Sequence, residues 1–202
     1  MRISFGRKSL SLFLPTFKAA RPSHEYRDHP PERTLSVRIG SAVDLRACDL
    51  DFLFQYQIFP ETILKFFGEW QLDGRQMRVG DVIVQESQLA AAFGLRLIFG
   101  VRILAVQRTS TRSGFTYGTL EGHPETGTNE FFFFTAGDSL FAEIRTAAEP
   151  ASWIGRILAP VVFDPYIRFC NRQALKTMQE SFLDHNPFVA DVPLSTAGKK
   201  EQ

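Results

Sequence analysis

Residues that commonly hold metals or cross-links are scarce in this chain of 202 residues. It has two cysteines, Cys48 and Cys170, and its four histidines are scattered. Neither cysteine belongs to a CxxC pair, and no Cys/His spacing is typical of zinc ligands. The sequence therefore predicts no metal, no cofactor and no disulfide framework. Isolated cysteines commonly serve as small apolar side chains in a reducing compartment, so we expect a cytoplasmic protein.

Long apolar runs and a surplus of one charge are also missing. No stretch reaches the ~20 apolar residues of a membrane-spanning helix, and residues 1–15 lack the longer apolar core of a secretory signal. The 23 basic and 22 acidic residues give a formal net charge of +1, whereas a duplex-binding domain normally carries a basic surplus. The sequence thus predicts no transmembrane segment and no nucleic-acid partner.

Phenylalanine, in contrast, is abundant, with 20 residues in a chain that is 44% hydrophobic and 22% charged. These fractions are typical of a soluble globular protein. Each buried Phe can remove ~150–250 Å² from water. Twenty phenylalanines can either fill a large core or line a cavity, and their number alone does not distinguish these two alternatives.

The hydrophobic pattern alternates between strand-like and helix-like periods. Residues 34–39 predict a strand, and apolar positions on two stripes then predict a buried helix from the capping residue Ser41 to Pro60. Residues 61–76 fit a helix and a strand about equally. Segments bounded by turn residues predict further strands at 81–89, 95–108, 113–120, 129–136 and 139–147. Their brief connections require antiparallel neighbours.

The C-terminal part is predicted to be helical. Pro150 is expected to open a short amphipathic segment, and Asp164 and Pro165 to begin a long helix. Its apolar stripe consists of Ile167, Cys170, Ala174, Met178 and Phe182. The prediction is an α+β fold in which a curved antiparallel sheet surrounds this helix. The domain is expected at residues 34–186, with an N-terminal arm and linker at 1–33 and a flexible tail at 187–202.

The most specific motif is at residues 114–131, which read Gly-Phe-Thr-Tyr-Gly-Thr-Leu-Glu-Gly-His-Pro-Glu-Thr-Gly-Thr-Asn-Glu-Phe. It resembles the signature of the uncharacterised protein family number 0548, a domain of unknown function. The resemblance covers roughly residues 34–180 and implies a helix-grip fold of the Bet v 1/START-like type, without an established activity. Two family features depart here: paired acids are replaced by Thr128 and Asn129, and Ser-(Arg/Lys)-Pro by residues 148–150. A catalytic role of those acids or that serine would be impaired in this chain.

His123 lies between two acids in the turn of this motif. It could close the hairpin through a hydrogen bond, or act as an acid/base whose pKa is raised by Glu121 or Glu125. We expect Glu125 to be its carboxylate partner. Tyr117, Thr119 and Arg102 complete the predicted ligand-binding set with His123 and Glu125, the last two being the catalytic candidates. An inward Arg102 would need a carboxylate such as Glu130 or Glu143, or an anionic ligand group.

The run from Phe131 to Phe134 predicts two aromatic faces. In a strand, Phe131 and Phe133 point to one side and Phe132 and Phe134 to the other. One pair can enter the core, and the other then lies on the outer surface of the sheet. It would be covered there by a second subunit or by N-terminal apolar residues, namely Phe5, Leu10, Leu12, Phe13 and Leu14.

These observations favour a protein that binds a small hydrophobic or amphipathic molecule in an apolar cavity between sheet and C-terminal helix. One alternative is an acid/base enzyme, cyclase- or hydratase-like, that uses His123. Another is a protein-interaction module that uses the outward Phe pair. A homodimer follows only if a second subunit, instead of the N-terminal residues, covers the outward Phe pair.

Overall fold

The computed structural model describes residues 2–4, 9–23, 33–87, 96–151 and 164–189. Eight strands form one sheet: β1 Arg2–Ser4, β2 Arg33–Ser41, β3 Leu64–Gly68, β4 Val82–Ser87, β5 Arg96–Arg108, β6 Arg112–Thr119, β7 Glu125–Ala136 and β8 Ser139–Pro150. The helices are α1 Leu14–Lys18, α2 Asp51–Phe54 and α3 Asp164–His185. Short 3-10 helices occupy Leu10–Phe13, Leu45–Ala47, Glu69–Leu72 and Pro187–Val189.

Strands β3–β8 form an antiparallel meander, and β2 pairs with β8 at the edge of the sheet. Its order is β2-β8-β7-β6-β5-β4-β3, and β1 pairs with the beginning of β5. The register shifts between Arg38 and Gly40 in β2 and between Ile103 and Ala105 in β5. Such irregularities increase the local twist and bend of a strand. The predicted antiparallel sheet with one long C-terminal helix is confirmed.

The long helix lies on the inner face of the sheet, against β2 and β8. Ala174, Met178 and Phe182 of α3 are fully buried, as the predicted stripe requires. The ring of Phe182 lies 4.9 Å from that of Phe133 on β7. This inner face carries the main apolar core. Within the described ranges, no helix is long and apolar enough to cross a bilayer.

The single helix predicted from Ser41 to Pro60 is wrong. The segment forms only the 3-10 helix at Leu45–Ala47 and the one-turn α2, and the first of these is capped by Asp44. Asp49 lies between them, and its backbone N–H donates to Asn186 Oδ1 at 2.8 Å. Asn186 Nδ2 donates to the Asp49 carbonyl at 3.0 Å. Contacts with the residue that follows α3 thus occupy backbone groups that a continuous helix would use.

Other boundaries differ less from the predictions. The ambiguous segment 61–76 contains β3 followed by a 3-10 helix. Strand β7 begins at Glu125 and β8 continues to Pro150, so both are longer than predicted. The amphipathic segment expected after Pro150 lies outside the described residues, as does Phe5.

The N-terminal strap, residues 9–23, packs on the outer face of the sheet. Leu14 and Phe17 are buried with Val82, Val84 and Ile98 of β4 and β5. The Phe17 ring lies so close over Gly100 that a Cβ there would come within 2.6 Å of it. The strap therefore covers apolar outer-face residues at the β3–β5 end of the sheet.

A different arrangement covers the outward Phe132. This ring is only 2% exposed, with the Arg112 guanidinium 3.5 Å and that of Arg145 4.8 Å from its centroid. Arg112 donates to Glu130 at 3.1 Å, and Arg145 to Glu143 at 2.5 Å. The alternative that the strap covers this ring is wrong, because two paired arginines lie over it. Cover by a second subunit stays a prediction.

Candidate functional site

The β6–β7 hairpin, which carries the motif, is fastened at its end by Thr119. This side chain is fully buried, and its Oγ1 accepts the backbone N–H of Gly127 at 3.0 Å. The Ser23 hydroxyl of the strap lies 2.5 Å from the same oxygen. Gly127 has a φ of 148°, and a Cβ at this position would lie 2.1 Å from the Ala147 carbonyl oxygen. Thr119 thus bonds β6 to β7 at the end of the hairpin, and the absence of a side chain at Gly127 lets β7 lie close to the backbone of β8.

His123 is enclosed within the hairpin turn. Its Nδ1 lies 3.0 Å from both the backbone nitrogen and the carbonyl oxygen of Glu125, so either neutral tautomer has a partner. The ring packs edge-to-face on Phe99, with centroids 4.6 Å apart. Burial lowers the pKa of His123 to about 3. The raised pKa that the catalytic alternative requires is thus not found, and the ring contacts the Glu125 backbone instead of the expected Glu125 carboxylate.

Arg102 points away from the inner face. It donates to the carbonyl oxygens of Lys18 and Ala20 at 3.0 and 3.2 Å, and so holds the strap at the end of α1. Glu130 and Glu143, the carboxylates considered for an inward Arg102, pair with the arginines on Phe132. The structure therefore does not bring Arg102 together with Tyr117.

Tyr117 does lie on the inner face, and its neighbours there were missed by the sequence analysis. Gln85 of β4 donates from Nε2 to the Tyr56 hydroxyl at 2.6 Å. The Tyr117 ring lies 6.3 Å from that of Tyr56, and Tyr56 and Gln85 are close enough to the Tyr117 hydroxyl to affect its pKa. Tyr56 is fully buried with a φ of 63°, a conformation that a bulky residue rarely adopts. Burial is the main cause that raises the pKa of both tyrosines, so both hydroxyls stay protonated.

A second pair continues along β4, two residues further. The Ser87 hydroxyl lies 3.2 Å from that of Tyr166 on α3, and Cys170 of the same helix is close enough to affect the pKa of Tyr166. Burial raises the pKa of Tyr166 to about 12 and that of Cys170 to about 11. We use the name tyrosine row for the hydroxyls of Tyr56, Tyr117 and Tyr166 with their β4 partners Gln85 and Ser87.

Aromatic side chains surround the first part of this row. Four phenylalanine rings have centroids within about 6 Å of Tyr56 or Tyr117, namely Phe59, Phe66, Phe115 and Phe131. Glu125 adds a negative charge that raises the pKa of Tyr117 and Cys170 further. Of the predicted set, Tyr117 and Glu125 thus act on the interior, whereas Thr119 and His123 hold the hairpin.

A further polar chain connects the sheet to α3. Thr146 Oγ1 donates to Asn129 Oδ1 at 2.7 Å, and Asn171 Nδ2 to Thr146 Oγ1 at 3.3 Å. All three side chains are buried. Within the part of the chain that the structure describes, no three His, Cys, Asp or Glu side chains form a metal-binding group. The polar groups found beneath α3 are hydroxyl, amide and thiol groups in aromatic surroundings, with the Glu125 charge close enough to affect Tyr117 and Cys170.

The sequence and the fold were compared with known proteins. A family model described as "Domain of unknown function (DUF1990)" matches residues 23–178. No curated protein matches the chain. Among solved structures, ginseng major latex-like protein 151 from Panax ginseng is 12% identical with a TM-score of 0.43, over 76% of this chain and 99% of that one.

Two further solved structures are similarly distant. A protein from Chromobacterium violaceum is 16% identical, with a TM-score of 0.43, over 74% of this chain and 96% of that one. The di-domain ARO/CYC StfQ from the steffimycin biosynthetic pathway is 9% identical, with a TM-score of 0.41, over 73% of this chain and 51% of that one.

Proposed function

Because the chain belongs to the DUF1990 family, a domain of unknown function, we propose its role from the geometry: it binds a small hydrophobic or amphipathic molecule between the sheet and α3. The observation that carries this proposal is the tyrosine row. Burying polar groups is costly unless they are hydrogen-bonded. This interior nevertheless gathers hydroxyl and amide groups from β4, β6, α3 and the turn after α2.

The backbone at Tyr56 supports the same proposal. A left-handed conformation costs a non-glycine residue of order 1–3 kcal/mol and concentrates at functional sites. Here it accompanies the placement of a buried hydroxyl against Gln85. Both the aromatic walls and this hydroxyl suit a ligand that is largely apolar and carries a few polar atoms. We further propose that the fold is of the helix-grip type and that the motif places the chain in family number 0548.

The geometry favours neither alternative function. A general base should have a pKa near the working pH, whereas the buried His123 has a pKa of about 3. An interaction surface built on the outward Phe pair would need exposed rings, and Phe132 is covered by arginines. A homodimer remains a proposal. So does a cytoplasmic location, which agrees with the free thiols of Cys48 and Cys170.

Native mass spectrometry of the full chain, purified under mild conditions, tests the proposed function. We expect a mass excess of one small molecule that disappears when the protein is denatured. Recovery of the bare chain, with no retained molecule from extracts of its expression host, would count against it.

Two matched variants locate the bound molecule. Ser87→Leu adds bulk on the inner face beside Tyr166, whereas Ser36→Leu adds the same bulk on an exposed outer position of β2. The first should lower ligand retention at least several-fold and the second should leave it unchanged. Equal retention by both variants would place the molecule elsewhere on the protein.

A further inference from the structure

Three of the chain's four tyrosines direct their hydroxyls to the same strand. Tyr56 and Tyr117 meet Gln85, and Tyr166 meets Ser87, two residues further along β4. Residues at i and i+2 of a strand share a face and lie about 7 Å apart. The row therefore has two polar positions, separated by roughly the width of a two-ring molecule.

We propose that the tyrosine row is a two-point anchor for an uncharged, planar ring compound that carries two hydroxyl or keto oxygens. This inference rests on the proposed function and specifies the ligand class of that site. One oxygen would bind at the Gln85 position and the other at the Ser87 position, while the phenylalanine rings contact the planar body of the ligand.

The hydrogen-bonding capacity of the row suits such oxygens. Each tyrosine hydroxyl has one donor and two acceptor sites, and the Gln85 amide has two donors and a carbonyl oxygen. The mutual contacts of Tyr56, Tyr117 and Gln85 use only part of this capacity. A ligand hydroxyl or carbonyl oxygen can therefore join the group without leaving a protein atom unsatisfied.

The electrostatics of the row select against an anion. The tyrosine hydroxyls stay protonated, and the β4 partners of Tyr56 and Tyr166 are the uncharged side chains of Gln85 and Ser87. A carboxylate ligand would lose its hydration against these uncharged groups, which is costly in a buried site. Glu125 adds a negative field at Tyr117 and Cys170, which increases this penalty.

Isothermal titration calorimetry with three matched probes tests the anchor on the full chain. Naphthalene-2,6-diol has an oxygen at each end of a rigid two-ring body, 2-naphthol has one oxygen, and 6-hydroxy-2-naphthoate replaces one hydroxyl with a carboxylate. One net hydrogen bond corresponds to roughly 5- to 10-fold in affinity. We expect the diol to bind tighter than 2-naphthol by this factor, and the carboxylate to bind at least 10-fold more weakly than the diol.

Variants assign the two positions. Tyr117→Phe and Tyr166→Phe should each bring the affinity for the diol close to that for 2-naphthol. Gln85→Leu should do the same, whereas Gln107→Leu, at an exposed position of β5, should leave the affinities unchanged. Thermal melting shows which variants are folded, and the probe series on the wild type does not depend on any variant folding.

The outcomes separate this inference from the proposed function. Equal affinities for the three probes, with no effect of the Tyr→Phe changes, would overturn the anchor while ligand binding in the interior stands. Failure of every probe to bind a protein that retains a molecule in native mass spectrometry also overturns the anchor alone. Failure of every probe together with a bare chain in native mass spectrometry overturns both.

Discussion

At the residue scale, His123 distinguishes a side chain that holds a turn from one that does chemistry. Its Nδ1 bonds the backbone of Glu125, and its ring packs on Phe99. We expect His123→Ala to lower the free energy of unfolding by about 1–3 kcal/mol, because a buried partner is left unsatisfied. Urea denaturation measures this change. Glu121→Ala, an exposed position of the same turn, is the control and should stay within ~0.5 kcal/mol of the wild type.

The same residue predicts a pH dependence. Its folded-state pKa of about 3 lies below the ordinary value of 6.5, so the unfolded chain binds this proton more readily. Stability linked to His123 is therefore complete above about pH 6.5 and is lost as the pH falls from there toward 3. The slope approaches about 1.4 kcal/mol per pH unit for one proton. We expect His123→Gln to lose less stability than the wild type between pH 6.5 and 4.5 in urea titrations. Parallel curves for the two proteins would contradict the burial of a neutral ring.

At the element scale, Asn186 connects the end of α3 to the segment before α2. It is 1% exposed and makes hydrogen bonds to both backbone groups of Asp49 and to the Phe182 carbonyl. Asn186→Ala should therefore cost roughly 2–3 kcal/mol in the free energy of unfolding. Chemical denaturation followed by tryptophan fluorescence measures it, with the exposed Asp184→Ala as the control. A cost equal to that of the control would mean that these bonds contribute nothing net.

The strap makes a separate prediction about a local opening. Phe17 is buried against Gly100, whereas Leu12 of the same strap is 67% exposed. Phe17→Ala removes apolar contact from the strap and should let it leave the sheet more often. We expect trypsin to cleave after Lys18 several-fold faster in this variant than in Leu12→Ala. Similar cleavage rates would indicate that Arg102 and the Thr119 contact alone keep the strap docked.

At the scale of the whole molecule, the arginines over Phe132 control an apolar outer surface. Their removal in the double variant Arg112→Ser, Arg145→Ser would expose a ring that is now 2% exposed. Large exposed apolar surface favours association. We expect sedimentation velocity to detect more self-association in this variant than in Arg38→Ser, Arg46→Ser, which removes the same charge from exposed positions. Identical sedimentation of the two variants would show that Phe132 does not reach a neighbour.

Much of this architecture could be predicted because local periodicity decided it. The stripe through Ala174, Met178 and Phe182 follows a helical repeat, and alternation in β7 separates the inward from the outward phenylalanines. Alternation also places Arg102 opposite to its neighbours Val101 and Ile103 in the core, a signal that could have corrected its predicted role. The failed helix before Pro60 had the opposite cause. Apolar residues on both stripes are equally compatible with an irregular buried segment. The residue that bonds the backbone of this segment at Asp49 is Asn186, which is distant in sequence.

The candidate site was harder to predict for the same reason. Tyr117 could be found from the motif, but its partners come from other elements and follow no common spacing. Gln85 and Ser87 carry a weak signal, because they are polar residues on the same side of the strand as the apolar Ile83. The left-handed backbone of Tyr56 has no sequence signal at all, since tyrosine is not a residue that favours it. These residues are brought together by tertiary contacts between elements that are distant in sequence, and local conformational preferences do not indicate such contacts.

The pairing of β2 with β8 has a consequence for how the protein is made. Arg33 pairs with Thr146 across this ladder, so all of the strands β3–β7 are translated between the two partners. A nascent chain can form the β3–β7 meander from strands that are neighbours in sequence. Strand β2 stays unpaired, with its apolar side exposed, until β8 emerges from the ribosome. Contacts between such distant parts of a sequence slow folding and prolong exposure to aggregation. A circular permutant that joins the two ends of the chain and opens it between β2 and β3 would be translated with β2 last, after β3–β8 and α3, so that β2 would pair with a β8 that is already present.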